Sequence, residues 1–137
     1  MARTIELADG VYRIATDNYR LNTGLVLGLE RALVVDTGAG PRQATEIYDE
    51  VRRLTRLPIT VVNTHGHYER FFGNDVFAAM GAEEFWAHPR AARAIRKYGE
   101  AQRPYVETLE PEMAHHQGAA TNIVVPNRLV ANSGDGI

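Results

Sequence analysis

The chain has 137 residues, 45% of them hydrophobic, and a formal charge of −2 at pH 7, enough for one domain with an ordinary core. The near-balanced charge argues against a surface built for nucleic-acid phosphates, and the absence of cysteine excludes disulfides and thiolate metal ligands. No apolar run approaches the ~18 residues of a membrane span, and the opening MARTIELADG lacks the apolar centre of a secretory signal, so the cytoplasm is the expected compartment.

Residues 4–7 and 11–15 alternate apolar and polar around Asp9-Gly10, which predicts a tight hairpin. A second hairpin is expected from residues 21–29 and 32–36, turning at Glu30-Arg31. Its near-continuous apolar runs (Leu25, Val26, Leu27; Leu33, Val34, Val35) suit strands covered on both faces. Pro41 opens a helix in which Ala44, Ile47, Tyr48, Val51, Leu54 and Leu57 recur at helical spacing, while Arg42, Glu46, Asp49 and Glu50 face outward; Leu57-Pro58 is its expected end. Residues 59–62 read as a buried strand. Phe71, Phe72, Val76, Phe77 and Met80 predict one short helix stopping at Gly81, and residues 82–88 a further strand. Pro89 starts a helix expected to end with Gly99 at its C′ position. A loop is expected over residues 102–118, then two short strands, 123–125 and 128–131, or one strand broken by Pro126, and a terminal turn at Ser133-Gly134-Asp135-Gly136.

The chemistry concentrates where the strand 59–62 ends. His65 and His67 leave it two residues apart, a spacing that lets two imidazoles aim at one point and makes them a candidate half of a zinc site. Glu69 is the candidate ligand or general base. Arg70 cannot ligate, because its guanidinium has no lone pair to give; it is a candidate for binding a substrate anion or for pairing with Glu69 or Asp36. Tyr68 is a candidate pocket wall. His88, before a proline, and the adjacent His115 and His116 are further candidate donors. Stable zinc sites take three or four protein ligands, so any metal requires more than His65 and His67.

Thr64-His65-Gly66-His67-Tyr68-Glu69-Arg70 resembles the Thr-His-x-His-x-Asp-His signature of the metallo-β-lactamase superfamily. Leu33-Val34-Val35-Asp36-Thr37-Gly38 resembles that family's Val-Asp-Thr-Gly strand end, and Gly73-Asn74 and Ala87-His88-Pro89 follow in the family's order. The resemblance implies an α/β fold corresponding to the first half of a four-layer αββα sandwich, with a mixed β-sheet and helices on one face. Residues 1–137 then form a single truncated domain. It implies Asp36 near the metal centre, grouped with Glu69 as the catalytic pair, although Asp36 also suits a carboxylate capping the Thr37-Gly38-Ala39-Gly40 turn. Glu69 stands where the family has Asp and Arg70 where it has His, and the other family ligands lie in the second half. The implied cofactor is therefore one zinc ion at most.

The implied function is hydrolysis of small-molecule esters, thioesters or lactones. Alternatives are a binding protein without a working metal centre and, below that, a metal-independent isomerase or cyclase. A half-sandwich leaves one sheet face bare, so a homodimer through that face is expected, with no nucleic-acid or membrane partner.

Overall fold

The computed structural model describes residues 2–17, 21–106 and 121–130. Among these residues seven strands form one sheet in sequential order: β1 (Arg3–Ala8), β2 (Val11–Ala15), β3 (Asn22–Leu27), β4 (Ala32–Val35), β5 (Ile59–Asn63), β6 (Glu84–Ala87) and β7 (Arg128–Leu129). Strands β1 to β4 run antiparallel as two hairpins, whereas β4, β5, β6 and β7 are mutually parallel. Parallel neighbours need crossovers. These are α1 (Pro41–Leu54), the pair α2 (Tyr68–Phe71) and α3 (Asn74–Ala79), and α4 (Pro89–Val106).

The mixed α/β sheet with helices on one face is the expected architecture. A cross-strand row, Tyr12, Leu25, Val34, Val61 and Phe85, crosses five strands in register and packs with Ala44, Ile47 and Val51 of α1 and Phe77 of α3. A side chain points to alternate faces along a strand, so the neighbouring row, Arg13, Gly24, Val35, Val62 and Trp86, lies on the other face, which no helix covers among the described residues. Val26 on that face is exposed, and so are Ile5 and Leu7 on the edge hairpin. Among the described residues the sheet is thus covered on one side only, unlike the two-sided burial expected of β3 and β4.

Several boundaries differ from expectation, each for a local reason. Helix α1 stops at Leu54, because Thr55 turns extended and its hydroxyl accepts the Leu57 N–H at 3.1 Å, leading the chain into Pro58. The single helix expected across Phe71 to Met80 is two, interrupted where Gly73 docks on the β4 exit: a Cβ there would stand 1.9 Å from the Thr37 carbonyl oxygen. Gly99 does not end α4. It is a packing position, where a Cβ would meet Ile123 at 3.2 Å, and the helix continues through Pro104 to Val106. Residues 102–106 are therefore helical and not loop, while the rest of that expected loop, Ala131 and the terminal turn lie outside the described residues. Ile123 and Val125 are not strand; they pack beside Phe71 and Phe72, and only Arg128 and Leu129 join the sheet.

Candidate functional site

Because β4 and β5 are parallel neighbours, their carboxyl ends open at the same edge of the sheet, where open α/β sheets bind ligands. The chain leaves β4 through Asp36 and β5 through Thr64. Asp36 adopts φ 66, a left-handed conformation that aspartate tolerates better than most residues. Its Oδ1 accepts the Thr64 N–H at 2.8 Å and its Oδ2 the Thr64 hydroxyl at 2.6 Å. The Arg70 guanidinium reaches Oδ2 at 3.3 Å and lies 4.0 Å from Glu69 Oε1. Burial pushes the Asp36 carboxyl above its ordinary value, and the Thr64 and Arg70 contacts pull it back.

Beneath the loop lies a polar layer with its hydrogen bonds made. Thr37, Asn63 and Asn74 are all buried. The Asn74 amide accepts from the Thr37 hydroxyl at 2.7 Å and from Asn63 Nδ2 at 3.0 Å, and donates to Asn63 Oδ1 at 2.7 Å and the Val124 carbonyl at 3.1 Å. The Arg70 carbonyl receives the Thr37 N–H and Asn63 Nδ2, each at 3.0 Å. Two strand ends, the α2 turn and the start of α3 are thereby fastened to one another, which fixes where the residues above them stand.

Above that layer the two histidines are oriented through the same ring atom. The Thr64 hydroxyl proton goes to Asp36, so the 2.9 Å contact between Thr64 Oγ1 and His65 Nδ1 has the imidazole as donor. His67 Nδ1 faces both Glu69 oxygens, at 2.9 and 2.7 Å, and an ionised carboxylate only accepts. Both rings therefore carry their proton on Nδ1 when neutral, and Nε2 of each keeps its lone pair with no partner among the described residues. This is the arrangement by which an outer hydrogen bond fixes a metal-ligating histidine. His65, Gly66, His67, Glu69, Arg70 and Ala94 line one recess.

Asp36, Glu69, Arg70, His65 and His67 thus form one connected cluster. Tyr68 stacks on His67, with ring centroids 5.3 Å apart, and opens toward a different recess. His88 lies outside the cluster; its Nδ1 accepts the Arg90 N–H at 3.1 Å and caps the start of α4. His115 and His116 lie outside the described residues. Asn63 and Gln102 went unmarked in the sequence. Gln102 holds the loop to α4, donating to the Gly66 carbonyl at 2.9 Å and accepting the Tyr68 N–H at 2.8 Å. Its spacing of four from Tyr98 is the helical signal, masked by the expectation of a loop over residues 102–118.

Among the described residues no three His, Asp or Glu side chains gather as a metal-binding group. Two oriented imidazoles are present, but Glu69 is engaged by His67 and faces Arg70. This donor set by itself does not fit a stable zinc site, which takes at least three protein ligands.

The model of the metallo-β-lactamase superfamily matches residues 19–128. The chain belongs to that superfamily. Its fold is similar to a metallo-β-lactamase from Erythrobacter litoralis, with a TM-score of 0.61 and 23% identity over 72% of this chain and 46% of that one. The DIM-1 metallo-β-lactamase matches 99% of this chain and 54% of its own, with a TM-score of 0.66 and 11% identity. The FIM-1 metallo-β-lactamase from Pseudomonas aeruginosa, solved in a mono-zinc form, matches with a TM-score of 0.60 and 19% identity over 72% of this chain and 46% of that one. The chain spans about half the length of these solved relatives. The superfamily is one of metallo-hydrolases that typically bind zinc. No helix among the described residues is long and apolar enough to cross a membrane.

Proposed function

We propose that this chain carries the histidine-bearing part of a hydrolase site for small-molecule esters, thioesters or lactones, with at most one metal ion per chain. The observation supporting it is the shared Nδ1 orientation, which leaves both Nε2 lone pairs available beside one recess. His65 and His67 are the chain's donors, with the remaining ligands supplied from outside the described residues; the mono-zinc form of FIM-1 gives a precedent for one ion in this fold. Glu69 orients His67, Asp36 orients His65 through Thr64, and Arg70, on the recess wall, receives an anionic group of the substrate. Elemental analysis of protein purified without a histidine tag tests this: about one zinc per chain is expected, with ester hydrolysis lost in His65→Ala and His67→Ala. Less than about 0.2 zinc per chain, unchanged by added zinc, overturns it.

A second reading, a ligand-binding protein without a metal centre, is favoured by one observation: Arg70 already supplies a fixed cation between the Asp36 and Glu69 carboxylates. On that reading His65→Ala leaves ligand binding intact.

We also propose that the open sheet face packs on the same face of a second copy. Its support is the apolar row Val35, Val62 and Trp86 with exposed Val26 beside it, a patch of the kind that marks association surfaces. Light scattering is expected to report twice the chain mass, falling to the monomer in Val26→Asp; a wild-type monomer at micromolar concentration removes the dimer.

A further inference from the structure

A second recess adjoins the histidine loop on the side of α4. Its lining is Gly66, His67, Tyr68, Tyr98, Gln102 and Tyr105, its volume about 450 Å³, and it shares Gly66 and His67 with the recess that holds Arg70. Tyr98, Gln102 and Tyr105 succeed one another at steps of four and three along α4 and so occupy one stripe of the helix. That stripe is not the core face. The buried residues of α4 are Ala91, Ala92, Ile95, Gly99 and Val106, whereas Tyr98 and Tyr105 are 52% and 68% exposed.

The stripe is held in fixed relation to the histidines. Gln102 ties the helix to both Gly66 and Tyr68, and Gly66 lies so close to α4 that a Cβ would stand 2.5 Å from that of Ala94. Tyr68 lies against His67 with ring planes 24° apart, and Lys97 Nζ sits 5.2 Å from the Tyr98 ring centroid. Three phenol rings beside an oriented imidazole offer edges and faces to a flat π-system, the geometry aromatic rings prefer. The volume is that of a small-molecule site.

We propose that this recess is the subsite for a flat aromatic group of the substrate, so that the ligand class is aryl esters, thioesters or aryl-fused lactones. The word substrate rests on the hydrolase reading; the aromatic binding does not.

The test is a calorimetric and NMR titration of the intact chain with 2-naphthoate, with acetate as control. Saturable binding is expected, weakened about fivefold by Tyr98→Ala and by Tyr105→Ala, the loss of one aromatic contact each. Unchanged thermal unfolding of the tyrosine variants shows that the loss is local. Binding of 2-naphthoate no tighter than that of acetate, or equal binding by the tyrosine variants, overturns the subsite. Aromatic binding without hydrolysis of 2-naphthyl acetate upholds the subsite and removes the hydrolase reading. Hydrolysis that does not prefer 2-naphthyl acetate over ethyl acetate does the reverse.

Discussion

The two layers at the strand ends are built on opposite terms. Below, Thr37, Asn63 and Asn74 are buried and each has its hydrogen-bond partners within the protein. Above, His65 and His67 are exposed and each ring spends only one nitrogen on the protein. A buried polar group left unpaired costs free energy, whereas an exposed one is satisfied by water. The lower layer therefore fixes the loop, and the upper layer can hold back donor capacity for a ligand at little cost in stability.

The contrast is tested most severely from below. Asn74→Ala strands Asn63 and the Val124 carbonyl together, so it is expected to destabilise the fold by about 3 kcal/mol in urea titration; a loss under about 1 kcal/mol would mean that water replaces the amide and the layer is not a fastening.

Asp36 joins the layers, and Asn is a close isostere that tolerates the same φ. Asp36→Asn is expected to cost about 1 kcal/mol, with a pH dependence of defined sign. The folded-state value is raised by burial, so the folded chain holds this proton more tightly than the unfolded one. The contribution of Asp36 is therefore largest below the ordinary carboxylate range (~4) and declines as pH rises through the raised value. The margin between wild type and Asp36→Asn should shrink with rising pH; a widening margin would show that the Thr64 and Arg70 contacts outweigh burial.

The smallest stability effect belongs to the rim. His67→Ala is expected to change stability by no more than about 0.5 kcal/mol and, on the hydrolase reading proposed above, to abolish zinc uptake, measured by unfolding and elemental analysis on the same sample. A large loss of stability would move His67 into the scaffold.

Much of this was legible in the residues. The two hairpins, the order of strands and helices and the position of the histidines after β5 follow from alternation, turn dipeptides and the Thr64 to Arg70 motif, whereas the near-continuous apolar runs of β3 and β4 point to burial on both faces and only the half-sandwich resemblance points to a bare one. Less legible were Gly73 and Gly99, both of which interrupt a pattern in the sequence. Only the partner that presses on each, the Thr37 carbonyl and the Ile123 side chain, tells a break from a packing position. The same ambiguity at Gly99 hides the continuation of α4 to Val106, and with it the place of Gln102, Tyr105 and the aromatic recess.

Sequence by itself determined the family, the order of the elements and which residue types stand at the strand ends, because these depend on local periodicity and on side-chain chemistry. Tertiary structure alone decided that Asp36 holds Thr64, and through it His65, and that Arg70 reaches Asp36. Hydrogen-bond partners and tautomers are set by which strand ends come to lie side by side, and that adjacency, between residues 28 or more positions apart for Asp36 and Thr64, is a property of the folded sheet.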